Sequence, residues 1–183
     1  MRQLLILSAF IVVASCQPAA PPSAPATSDQ STTSTPTTRP VSAGCNDVAP
    51  DTAHMVLLAS LPPAAGRALA SNLNGGPLTP GTYDLTSGVV QDGATRWTEA
   101  RAVALSVADG DSGAVVNYAE AHNGEISRWS ANFSDAPSAT LTFTCGRSGH
   151  AAITYQASSN ELRMSIPAEN GVGRFYMVFA KRP

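Results

Sequence analysis

From residue 81 to the C-terminus, tight-turn signals cut the sequence into short runs, and that spacing leaves few folds open. The runs cover 82–90, 101–108, 114–121, 125–133, 139–146, 151–158, 161–167 and 174–181. Between them stand D-G-D-S-G from Asp109, H-N-G from His122, G-R-S-G from Gly146, S-S-N from Ser158 and E-N-G from Glu169. These are the residue types that tolerate the backbone of hairpin turns. Alternation supports strands: Val103, Leu105 and Val107 oppose Ala102, Ala104 and Ser106, and Leu162, Met164 and Ile166 oppose Arg163 and Ser165. Short links make sequence neighbours spatial neighbours, so the reading is a mainly β domain, an antiparallel meander of about eight strands. It closes into a small barrel or, alternatively, folds over as a two-layer sandwich. The last run, R-F-Y-M-V-F-A-K, is apolar on both faces. It must be covered on each side or leave an exposed patch.

Ahead of the strands the chain is rich in Ala, Leu and Pro. Pro62 and Pro63 suit the first turn of a helix, 64–73 holds good helix formers, and Asn74-Gly75-Gly76 supplies a stop. One short N-terminal helix is therefore expected. The preceding M-V-L-L-A-S-L is too short to declare its period and fits strand or helix.

The N-terminus carries a different signal. Arg2 precedes the apolar run L-L-I-L-S-A-F-I-V-V, which ends in Val13-Ala14-Ser15-Cys16. A positive residue, a short apolar stretch and small residues before a cut are the parts of a secretory signal peptide. The run is shorter than the roughly 20 apolar residues a spanning helix needs. Val13-Ala14-Ser15-Cys16 resembles the lipobox of bacterial lipoproteins. That resemblance implies removal of 1–15, a lipid on the Cys16 thiol and an acylated new amino terminus. Gln17, where an aspartate would favour inner-membrane retention, points to the outer membrane of a Gram-negative bacterium. From Cys16 to Pro40 the chain is Pro-, Ser- and Thr-rich with no large apolar residue, so it has nothing to bury and reads as a disordered tether. Residues 41–183 are left as a single domain.

With Cys16 lipidated, Cys45 and Cys145 remain as an even pair in an oxidising compartment, and a disulfide is the expected outcome. Cys145 ends T-L-T-F-T-C, where strict alternation puts it on the inward face with Leu141 and Phe143.

Charged residues make up 13% of the chain and the formal charge is −2. That balance offers nothing to nucleic acid or to anionic lipid. His54, His122 and His150 each stand alone, with no metal-ligand spacing and no nucleophile elbow. No cofactor or metal is expected, and the domain reads as non-enzymatic. The Asp109 to Gly113 loop lacks the further acidic donors of a calcium loop and reads as a hairpin turn, and Asn132-Phe133-Ser134 matches a glycosylation acceptor that means little in a bacterial lipoprotein. Trp97, Tyr118, Trp129, Tyr155 and Tyr176 are candidates to line a ligand cavity in a barrel mouth.

The expected function is a lipid-anchored envelope protein with a binding or structural role. Its partners are the membrane, through Cys16, and an envelope protein or a small apolar ligand. A second expectation comes from the stretch F-T-C-G-R-S-G-H-A-A-I-T-Y-Q-A-S-S-N-E-L-R-M-S-I, which is loosely similar to the cysteine strand and hairpin of lipid-anchored lysozyme inhibitors. In that family a loop serine and a downstream lysine enter the enzyme's cleft. The resemblance implies an inhibitory loop of Asn170, Gly171, Gly173 and Arg174 with Lys181 as basic partner, although Asn170 stands where the family has its serine.

Overall fold

A computed structural model describes residues 44–183 apart from 112, 136, 137, 169 and 170. The signal peptide, the Cys16 anchor, the tether and Asn170 lie outside the described residues. The elements run β1 (Ala59–Ser60), α1 (Pro63–Ser71), β2 (Gly81–Gln91), β3 (Ala102–Gly110), β4 (Gly113–His122), β5 (Glu125–Ser134), β6 (Thr140–Cys145), β7 (His150–Ala152), β8 (Thr154–Ala157), β9 (Glu161–Pro167) and β10 (Arg174–Lys181).

Nine of these strands form one antiparallel path, β7-β6-β5-β4-β3-β2-β10-β9-β8, that curls into a nearly closed barrel. The two ends of the path are adjacent in sequence. β7 pairs with β6 and β8 pairs with β9, with only Ile153 between them. A single stretch expected at 151–158 thus divides its hydrogen bonds between the first and last neighbours, which brings the sheet round on itself. The turns behave as their residues predict: Asn123 (φ 49) and Gly124 (φ 78) form the two-residue link between the paired His122 and Glu125, the positive-φ pair that a type I′ hairpin requires.

Two β-bulges set which residues face inward. Opposite Val178 and Phe179, β2 offers Ser87 and Leu85, leaving Thr86 extra. Opposite Ser130 and Ala131, β6 offers Cys145 and Phe143, leaving Thr144 extra. In both places the extra threonine donates its hydroxyl across the ladder, Thr86 to the Val178 carbonyl (3.0 Å) and Thr144 to the Ser130 carbonyl (3.2 Å). An extra residue bends the strand and inverts its side-chain alternation. Tyr83 and Leu85 therefore enter the core before the first bulge, and Gly88 and Val90 are buried after it.

The second bulge corrects the expected orientation of Cys145. Paired with Ser130 and not in step with Phe143, its side chain faces the outside of the barrel. There it is bonded to Cys45, with the two Cα atoms 5.5 Å apart, and closes a loop of 100 residues. The incoming chain lies against this outer face. Ser130 Oγ donates to the Cys45 carbonyl (3.0 Å), and Asn46 Nδ2 donates to the Trp129 carbonyl (2.9 Å).

The segment M-V-L-L-A-S-L resolves to extended chain. β2 and β3 are paired only from Gly81 to Asp84, and beyond that point Val56 bridges to Arg101 while β1 runs parallel to Val89 and Val90. Leu58 enters this seam fully buried. A Cβ on Gly88 would lie 2.6 Å from Leu58 Cδ2 and 2.8 Å from the Tyr176 carbonyl oxygen, so glycine is required there.

Helix α1 starts at Pro63 as expected and ends at Ser71, two residues before the run of helix formers does at Leu73, with Asn72 as C-cap. It packs on the outer side of β2 and β10. Gln91 donates to the Gly66 carbonyl in the helix. This accounts for the doubly apolar last strand: Met177 and Phe179 enter the core, and Tyr176 is buried on the other face.

Candidate functional site

The barrel interior is filled along most of its length. Leu105, Val116, Leu141, Leu162, Met164 and Phe179 are all essentially inaccessible. At the end carrying the 92–100, 123–124, 146–149 and 168–173 links the filling stops, and a cavity of about 550 Å³ opens. Its walls belong to strand ends that bury inward residues lower down: Tyr118, Glu120 and His122 from β4, Ser127 and Trp129 from β5, Phe175 and Met177 from β10.

An aromatic layer forms the base. Tyr118 and Trp129 stack nearly parallel with centroids 4.8 Å apart, and Phe143 meets Trp129 edge-on at 5.3 Å. On the far wall Trp97 packs against Phe175 at 6.0 Å. Above this layer sits a charged pair. Arg101 donates from a terminal guanidinium nitrogen to Glu120 Oε1, and the Tyr118 hydroxyl donates to Glu120 Oε2 at 2.6 Å. The Arg101 guanidinium lies 4.7 Å over the Trp97 ring, a favourable placement of a cation on an aromatic face. Both charges are largely withdrawn from water, at 26% and 14% side-chain exposure. Nε of Arg101 is buried with no acceptor among the described residues.

The rim is polar. Arg96 and Arg147 come from two different links, and Arg147 lies 5.0 Å over the Phe143 ring. The 92–100 link, which carries Trp97, begins with Asp92 and Gly93 at positive φ. It is held down at its far end by Glu99, whose carboxylate meets His122 Nε2 at 2.8 Å. Hydrogen bonds from Asn123 and then His122 hold the Glu99 carboxyl below its usual value. Gly173 is in close contact with the start of the same link, where a Cβ would fall 2.2 Å from the Ala94 nitrogen.

Of the five aromatic residues expected at a barrel mouth, Trp97, Tyr118 and Trp129 line the cavity. Tyr155 lies at the opposite end, where its hydroxyl donates to the Gly76 carbonyl at 2.9 Å, and Tyr176 faces outward. Arg101 and Glu120 were not singled out from the sequence, yet a signal was there. Each is charged and in step with an inward apolar set, Arg101 with Val103 and Leu105, Glu120 with Val116 and Tyr118. A charge on the buried face of a strand is costly unless paired.

The candidate inhibitory residues are spread along the barrel. Gly171 is exposed at the loop tip beside Val172, which is 55% exposed. Arg174 is turned back onto the sheet, donating to Ser165 Oγ (2.9 Å) and to the Ser165 carbonyl (2.6 Å). Lys181 ends β10 and lies against Gly81 at the opposite end of the barrel. One strand length, about 3.4 Å per residue, therefore separates it from Arg174. At the Asp109 loop, β3 and β4 stay paired to Gly110 and Gly113, as a tight hairpin requires. No cluster of three or more His, Cys, Asp or Glu suited to a metal occurs among the described residues.

Comparison of the chain with protein-family models, with characterised proteins and with solved structures returns no match.

Proposed function

We propose that this chain is an exported lipoprotein, anchored through a lipid on Cys16, whose barrel holds a small ligand in its open mouth without transforming it. The observation that carries the reading is the cavity of about 550 Å³ at one end of an otherwise filled barrel. Small-ligand sites are concave, a few hundred to about 1,000 Å³, and mix apolar walls with a few placed polar groups. This cavity supports a ligand of mixed polarity better than a wholly apolar one, because Arg101, Glu120 and the Tyr118 hydroxyl meet inside it. Binding is favoured over catalysis because both Glu120 oxygens are engaged, one by Arg101 and one by Tyr118, which ties up the deepest carboxylate.

The anchor and the site are tested separately. For the anchor, intact mass and membrane fractionation compare the wild type with Cys16→Ser. A membrane-bound, lipid-heavy wild type and a soluble variant are expected, and identical unlipidated masses would overturn it. For the site, Ser127→Trp places a large ring in the mouth from an exposed, inward-facing position on β5. Thermal shift against a small-molecule panel is expected to identify ligands of the wild type that this variant does not bind. Ligands that stabilise both proteins equally would place binding elsewhere.

A further inference from the structure

Resting on that reading, we infer that the mouth selects an uncharged ligand with a carboxamide or lactam edge on a flat apolar body. The starting point is what the Arg101–Glu120 pair leaves open. Arg101 donates to Glu120 from one terminal nitrogen, and among the described residues its guanidinium has no second acceptor. Glu120 takes one bond on each oxygen, from Arg101 and from the Tyr118 hydroxyl. Those bonds keep it from serving as a base, yet each carboxylate oxygen has a second lone pair. Both groups line the cavity, with 26% and 14% of their side chains exposed. A donor nitrogen and an acceptor oxygen thus stand side by side in the mouth.

Charge and shape narrow the ligand further. The two withdrawn charges cancel each other, and the exposed Arg96 and Glu125 at the rim have opposite signs. Arg128 turns away and donates to the Val48 carbonyl at 3.4 Å. An ion entering here gives up hydration without meeting an unbalanced partner at depth, whereas a neutral group that both donates and accepts gives up little. Planarity follows from the partners. Guanidinium and carboxylate are both flat, and the Trp97 ring, 4.7 Å from the Arg101 guanidinium, orients it. An amide edge offers one acceptor and one donor in a single plane, which matches such groups. Beside the pair, Ile166, Phe175 and Met177 supply an apolar wall for the body of the ligand.

Matched probes test this by calorimetric titration of the full chain: the neutral 2-naphthamide, the acceptor-only methyl 2-naphthyl ketone, the anion 2-naphthoate and the cation 2-naphthylmethylammonium. The amide is expected to bind roughly tenfold more tightly than the ketone, which lacks the donor, and than either ion. Its affinity is expected to be the same in about 0.5 M salt, since no net charge is drawn in. Arg101→Met with Glu120→Met is expected to remove the advantage of the amide over the ketone. Equal affinity for amide and ketone, or an ion that binds tightest, with binding abolished by Ser127→Trp, would overturn the amide selection and leave the mouth reading standing. Failure of every probe to bind, or binding that Ser127→Trp does not affect, would overturn both.

Discussion

The two ends of the barrel are closed by different chemistry. At the end away from the cavity, buried tyrosines finish the core by donating to nearby loop carbonyls: Tyr83 to Thr79 at 2.6 Å and Tyr155 to Gly76 at 2.9 Å. Phe133 meets Tyr155 edge-on at 5.1 Å beneath them. Burial raises the pKa of both hydroxyls, so they stay neutral donors. At the mouth the core gives way to the partly exposed Arg101–Glu120 pair. A neutral hydroxyl bonded to a carbonyl satisfies a core edge at little desolvation cost, whereas a withdrawn ion pair roughly breaks even at best. The closed end is built for stability. The open end keeps charges that stability alone would not select, which is the physical ground for placing binding there.

The largest expected effect tests what holds the two ends in one body. Cys45→Ser with Cys145→Ser releases a loop of 100 residues and is expected to lower stability by up to about 4–5 kcal/mol in the chain-entropy account. Urea denaturation of oxidised wild type against the variant measures it. Next, Phe179→Ala, in the filled part, is expected to cost about 3–5 kcal/mol while probe affinity per folded molecule stays unchanged. A matching loss of affinity would break the division between the ends.

At the mouth the expectation is reversed. Arg101→Met alone strands Glu120 and is expected to cost about 1–3 kcal/mol, reduced from the value for a fully buried pair by the residual exposure. Arg101→Met with Glu120→Met is expected to lie within about 1 kcal/mol of wild type by denaturation while no longer being stabilised by the panel ligands that bind the wild type. Should the double variant be as unstable as Phe179→Ala, the pair belongs to the scaffold. Tyr155→Phe, at the closed end, removes one hydrogen bond and is expected to cost about 1 kcal/mol with no effect on probe binding.

The smallest effect concerns pH. Glu99 has a carboxyl pKa below its ordinary 4.5 in the folded chain, so its bonds to Asn123 and His122 contribute stability above that value and lose it as pH falls through the folded pKa. Fluorescence of Trp97 in a Trp129→Phe chain is expected to change as the 92–100 link loosens below about pH 4.5. The change should be absent in Glu99→Gln.

Local pattern made much of this molecule legible. The run at 161–167 coincides with β9, that at 174–181 with β10, and the remaining strands differ from expectation mainly by a residue or two at their ends. Turn residues and period-2 alternation are properties of adjacent positions, so they can be read without knowing what lies across the sheet. The pairing of Cys45 with Cys145 was accessible from the cysteine count, and three of the aromatic residues at the mouth from residue type alone. Orientation was not. Whether Cys145 points inward depends on the single extra residue Thr144, whose bulge exists only because β5 lies opposite. The splitting of 151–158 at Ile153 likewise reflects two different neighbours.

The sequence by itself therefore determined the strands, the turns and the helix start, because each is set by short-range backbone preference and alternation, and the residues able to form the disulfide, because only two cysteines remain once Cys16 is set aside. Only the tertiary structure decided which face each strand presents past its bulges, how residues 56–60 fill the seam between β2 and β3, and that one end closes on tyrosine hydroxyls while the other opens on Arg101 and Glu120. Those outcomes depend on long-range register, and a shift of one residue in register exchanges the inside of a strand for its outside.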